Sequence, residues 1–186
     1  QIADKLHPWA AFIFAGSTFP KGYSSETGAD MLLTNATADI NKPRDSLESL
    51  DDVTAIFKAQ PEETMLNFLK ASIKTNKEET EDVKKLHQAY SDGRFEELIP
   101  LLEETEQRTL KLVDTKHAKA MSDWLKNDLL IRRNQAWLPE IRKQSAKQST
   151  LFAVGIAHLP SEKGLIELLR QEGYQVTPEP KVLIWQ

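Results

Sequence analysis

The chain has 186 residues, a length that fits one domain or one domain plus a lobe. Hydrophobic residues make up 40% and charged residues 28%, as in a globular protein with a real core, and a net charge of −4 offers no general attraction to nucleic acid or anionic membranes. Cysteine is absent, which excludes disulfides, zinc-thiolate sites and thiol catalysis.

The longest apolar stretch, Trp9 to Ala15, is too short to span a bilayer, and periodicity leaves it open as a short helix or a strand. Met31, Leu32, Ala36 and Ala38 sit near helical spacing and predict a helix over 26–41, ended by Pro43. Leu47, Leu50, Val53, Ile56 and Phe57 form an amphipathic stripe over 47–58. Pro61, with Glu62 and Glu63 after it, suits a helix start, and Met65, Leu66, Leu69 and Ile73 make one face of that helix. A further helix fits 77–91, closed by an Asp92-Gly93 turn, and Phe95 to Leu102 continues as helix. From Glu106 to Gln148 the pattern is strongly helical, with Pro139 suggesting a break or kink.

Composition changes at Thr150. Leu151 to Gly155 reads as a short buried strand, Ser161 as the cap of a helix from Glu162 to Gln171, Tyr174 to Thr177 as a second strand, and Val182 to Trp185 as a last one. Strand, helix and strand with a short return predict a parallel pair. The expected fold is therefore α/β or α+β, mostly helical, with about seven helices and a small, partly parallel sheet. A mainly helical region over 1–149 and a strand-helix-strand unit over 150–186 together form one domain, read as a fragment of a longer protein because Gln1 leads straight into apolar sequence.

The sharpest chemical signal is the run Leu151-Phe-Ala-Val-Gly155-Ile-Ala-His158-Leu-Pro. A histidine three residues past a strand-ending glycine can bind a metal or move a proton, and the glycine lets a ligand approach the backbone. The bland alternative is a loop histidine that only covers the sheet edge. His7, His87 and His117 read as structural or solvated. Arg132-Arg133-Asn134 interrupts an apolar helix face, either as a solvated pair or as an arginine aimed at a carboxylate, phosphate or oxyanion. Asp30 and Glu48, near helix starts, are first-turn charges or else a general base or metal-ligand carboxylate. There is no H-E-x-x-H, G-x-S-x-G, P-loop or dinucleotide fingerprint.

Several of these segments, taken in order, resemble the TraB/GumN family, which includes the TIKI-like proteases. Gly155-Ile-Ala-His158-Leu-Pro-Ser161-Glu-Lys-Gly164, with the leucine-rich helix and Gly173-Tyr174-Gln-Val176 beyond it, is similar to the family's closing motif, with Ser161 in place of a usual glycine. Arg133-Asn134 with Trp137 resembles its arginine–asparagine–aromatic helix motif. Gly28-Ala-Asp30 with Leu47-Glu48, and Tyr90 with Gly93, resemble earlier segments. The family's first G-x-x-H and its glutamate strand have no counterpart here, so the resemblance implies half an active site and little activity from this piece alone.

The resemblance implies a metal-dependent hydrolase, in one form a peptidase, using a divalent ion of the Mn, Co or Zn type. His158 would be ligand or base, Arg133 the helix arginine, and Glu48 and Asp30 companions; Gly155, Asn134 and Gly164 would be structural members of the motifs. Expected partners are a peptide or small-molecule substrate, with no nucleic acid, no membrane span, and a second copy pairing through an exposed sheet edge. The family implies a periplasmic, secreted or membrane-associated setting. The alternative is a non-catalytic helical binding module that retains the fold.

Overall fold

The computed structural model describes residues 6–16, 22, 24, 26 and 28–178, the side chains at 76–80 excepted. Among them the chain forms eight α-helices and no strand. It divides into two compact units, Gln1–Asp128 and Leu129–Gln186.

The first unit holds α1 (Pro8–Gly16), α2 (Ala29–Asp39), α3 (Leu50–Lys58), α4 (Glu62–Asp92), α5 (Leu98–Leu110) and α6 (Thr115–Asp123). The 31-residue α4 is its spine and packs against α1, α5 and α6. Sequence periodicity predicts two helices over this stretch. With no glycine or proline between Glu62 and Asp92, nothing stops the first before the second begins. Gly93 ends α4 in the left-handed conformation, at φ 68, and its N–H returns to the last turn. Phe12, Phe57, Phe68 and Trp124 form an aromatic cluster, with ring centroids 5.2 Å apart for the closest pair, Phe57 and Trp124. Trp124 Nε1 donates to the Ile56 carbonyl at 3.2 Å.

Polar ties in the interior join the helices of this unit. Asp82 on α4 accepts from Arg108 at 2.5 Å and Thr105 at 3.1 Å on α5, and the carboxylate holds the Arg108 guanidinium pKa above its usual value. His117 on α6 meets the Thr64 hydroxyl of α4 at 3.0 Å through Nδ1.

The predicted run from Glu106 to Gln148 is broken twice. Asp114 caps α6 by accepting from the N–H groups of Lys116 and His117. Trp124–Ile131 is wound as a π-helix before α7 (Arg132–Ser145) resumes the ordinary pitch.

The second unit continues with α7, a short 3₁₀ turn at Ile156–His158 and α8 (Leu165–Gln171). Asn134, Trp137, Leu138 and Ile141 are the buried face of α7, one per turn or nearly so, and Leu165 and Leu168 are that of α8. Arg142 pairs with Glu172 at 3.3 Å.

The expected sheet is not formed. Residues 151–155 and 174–178 have no regular secondary structure and belong to no ladder among the described residues, and the strand expected at 182–185 lies outside them. Leu151 is 75% exposed and Ala153 is exposed as well, so this apolar run is not a buried strand. An extended segment becomes a strand only when a neighbour about 4.8 Å away takes its N–H and C=O groups. Tyr174 instead donates its N–H to the Leu169 carbonyl of the α8 end, and Arg170 donates to the Val176 carbonyl, so this return segment is tied to its own helix. With no strand there is no sheet edge among the described residues for a second copy to pair with.

Candidate functional site

The site is built from α7 and the loop that precedes α8. Arg133 and Asn134 are consecutive on α7, so their side chains leave the axis about 100° apart. They grip His158 from different sides. His158 is 6% exposed, on the 3₁₀ turn whose first hydrogen bond runs from its own N–H to the Gly155 carbonyl at 2.9 Å. Its Nδ1 lies 2.7 Å from Asn134 Oδ1, and its Nε2 lies 3.3 Å from Arg133 Nη1. The other end of the Asn134 amide donates to the backbone carbonyls of His158, at 3.2 Å, and Lys163, at 2.9 Å. One buried side chain thus holds both the imidazole and the loop that carries it.

Trp137, one turn beyond Arg133, forms the floor. Its ring centroid is 4.6 Å from that of His158, and the Arg133 guanidinium lies over its face at 5.0 Å. The same guanidinium donates to the Leu129 carbonyl at 3.0 Å, inside the π-helical segment. Wide π turns occur often at functional sites, and here one supplies the carbonyl that anchors the arginine.

The two glycines of the loop play different parts. A Cβ on Gly164 would stand 1.9 Å from the Pro160 carbonyl oxygen and 2.4 Å from that of Leu159, so backbone packs against this position too closely for any side chain. Gly155 has ordinary extended angles, and a Cβ there would make a normal 3.7 Å contact with His158 Cδ2. Ser161, predicted as the helix cap, instead sits in the left-handed region at φ 82, and Gly164 takes the cap position of α8.

The structure brings His158, Arg133, Asn134, Gly155 and Gly164 together within one unit. Asp30, exposed in the first turn of α2, and Glu48, half-buried just before α3, belong to the other unit. Trp137 is expected from sequence only as the aromatic of the helix motif and not as the floor of the site, and Leu129 is not expected as the anchor. The spacing from Arg133 to Trp137 is the signal for the first, since residues four apart share a helix face. No sequence signal marks the second.

The divalent metal implied by the resemblance needs three or four ligands. No group of three His, Cys, Asp or Glu side chains among the described residues could hold an ion. The guanidinium beside Nε2 also opposes a cation at the nitrogen a metal would take. Trp137 Nε1 is a further buried donor with no acceptor among the described residues. Donors of these kinds suit an anion, so the described residues do not by themselves fit a metal. A hollow of about 510 Å³ lies beside α8, bordered by Pro160, Ser161, Lys163 and Arg170, but His158 is not part of its lining.

These features define a helical protein in which an arginine–asparagine–aromatic helix grips a Gly-x-x-His turn. The chain belongs to the TraB/PrgY/gumN family, whose model matches residues 1–178. No curated protein and no solved structure matches it. No helix among the described residues is long and apolar enough to cross a membrane.

Proposed function

We propose that the protein is a hydrolase of acyl bonds, with a peptide as its substrate, in which His158 is the base and Arg133 the anion-holding group. The observation that supports this reading is the 3.3 Å contact between Arg133 Nη1 and His158 Nε2, on a Trp137 floor. An arginine has donors only, so at rest it covers the imidazole lone pair. A substrate carboxylate or developing oxyanion is a stronger acceptor and draws the guanidinium away. Nε2 is then open to take a proton from water while the water oxygen adds to the carbonyl carbon. The oxyanion collapses, the carbon–nitrogen bond breaks, and the imidazolium returns its proton to the leaving amine.

A divalent ion remains part of the proposal only as an added factor whose further ligands come from outside this cluster, and no step above runs through it. The proposed setting, periplasmic or secreted, rests on the family resemblance. The test is cleavage of a peptide library by the full natural polypeptide, with chelator or with added Mn²⁺, Co²⁺ or Zn²⁺. Arg133→Met is expected to lower kcat/KM by about 100-fold, the scale of one lost oxyanion donor. Full activity in that variant would remove Arg133 from the mechanism.

A second reading, a non-catalytic binding module, has one observation in its favour. No residue of α2 is buried, and Met31, Leu32 and Leu33 are exposed on it. On that reading no peptide is cleaved under any metal condition, and Leu32→Ser abolishes binding to a partner.

A further inference from the structure

We propose that Asn134 is a positioning residue that selects the tautomer of His158, placing the proton on Nδ1 and the lone pair on Nε2. The two ends of a carboxamide are told apart by their partners. One end of Asn134 faces two backbone carbonyls, those of His158 at 3.2 Å and Lys163 at 2.9 Å. An oxygen there would meet two acceptors, so that end is the NH₂ group. The end 2.7 Å from His158 Nδ1 is therefore the oxygen, which only accepts, and Nδ1 must carry the hydrogen.

The opposite side of the ring gives the same answer independently. Arg133 Nη1, 3.3 Å from Nε2, can only donate, so Nε2 must accept. Burial makes the selection firm. Asn134 is 2% exposed and His158 6%, so bulk water does not replace the amide. Because the NH₂ end also holds the His158 and Lys163 carbonyls, the amide cannot turn over without losing both of those bonds.

This deepens the proposed hydrolase, on which it rests only for what the lone pair is used for. A free imidazole side chain favours the other neutral tautomer, with hydrogen on Nε2. Without Asn134 that form would turn an N–H toward the Arg133 guanidinium, donor against donor, and leave no base at the nitrogen facing it.

The test is long-range proton–nitrogen correlation spectroscopy of the full chain with labelled histidine, at a pH where the ring is neutral. Wild type is expected to show His158 with a protonated Nδ1 and an unprotonated Nε2. Asn134→Asp keeps an oxygen against Nδ1 while losing both donors to the loop carbonyls, so it should keep the tautomer. Asn134→Leu should shift His158 toward the Nε2–H form. A purely structural clamp predicts no such difference, with Asp and Leu equally disruptive to the loop and no link to the tautomer.

Wild-type His158 protonated at Nε2, alone or on both nitrogens, would overturn the proposal, and so would an unchanged tautomer in folded Asn134→Leu. Should that variant fail to fold, the wild-type spectrum decides. A correct tautomer without any hydrolysis would sink the hydrolase and leave the positioning role standing. Hydrolysis that depends on His158 in the Nε2–H form would do the opposite.

Discussion

Ser161 and Gly164 show how closely the loop before α8 is built. At φ 82 an L residue carries strain of about 1–2 kcal/mol, while glycine gains freedom in the unfolded chain that offsets about 0.4–1 kcal/mol. Ser161→Gly should therefore stabilise the second unit modestly, by up to about 1 kcal/mol. A lower melting temperature for this variant would show the angle to be unstrained. Gly164 poses a problem of space and not of angle. With carbonyl oxygens 1.9 and 2.4 Å from where a Cβ would stand, Gly164→Ala must push the backbone apart. A loss on the order of 3 kcal/mol, the upper end of ordinary substitutions, is expected in denaturant unfolding. A neutral result would mean that the turn opens easily. The motif in the sequence marks both positions, but neither the angle nor the clash can be read from residue types, since both depend on where the carbonyls of residues 159 and 160 come to lie.

The helices of the first unit are mostly legible in the sequence because burial on one side imposes a period of 3.6 residues. α3 falls within the stretch predicted at 47–58, with Val53, Ile56 and Phe57 half-buried on one side, whereas α2 falls within 26–41 although none of its residues is buried. What periodicity does not show is where one helix passes into another, so α4 reads as two helices and the π-helical turn leaves no mark. The expected strands fail for a related reason. A short apolar run such as Leu151 to Val154 satisfies strand and loop equally until a hydrogen-bonding neighbour is found.

The start of α3 carries a pH dependence of its own. Ser49 and Asp52 form a reciprocal cap: the Asp52 N–H donates to the Ser49 hydroxyl, and the Ser49 hydroxyl and N–H both donate to the Asp52 carboxylate. Those bonds, the side-chain one first, hold the Asp52 carboxyl pKa below its usual value. The folded value lies below the unfolded one. The stabilisation is therefore complete above the unfolded value and fades as pH falls through the folded value. Amide exchange in the first turn of α3 should accelerate over that acid range, and Asp52→Asn should flatten the dependence. Exchange that responds to acid identically in both proteins would dismiss the cap as its source.

At the scale of the whole molecule, the described residues form helices in place of the expected helical region with a small sheet, and they group into two compact units. The gathered part of the candidate site is legible in the sequence because its members come from two short motifs, Arg133-Asn134 and Gly155-Ile-Ala-His158, that lie within one unit. Asp30 and Glu48 are tied to it only by resemblance, and the structure places them in the other unit. Two histidines separate a chemical role from a structural one. His117 is a buried tie between α4 and α6, and His158 is the proposed base. The decisive measurement is the peptide-cleavage rate per folded molecule of His158→Gln beside His117→Gln in the full natural polypeptide. Per folded molecule, His158→Gln should lose about 100-fold or more in kcat, whereas His117→Gln should keep its kcat. Equal kcat in wild type and His158→Gln would contradict the assignment of His158 as the base.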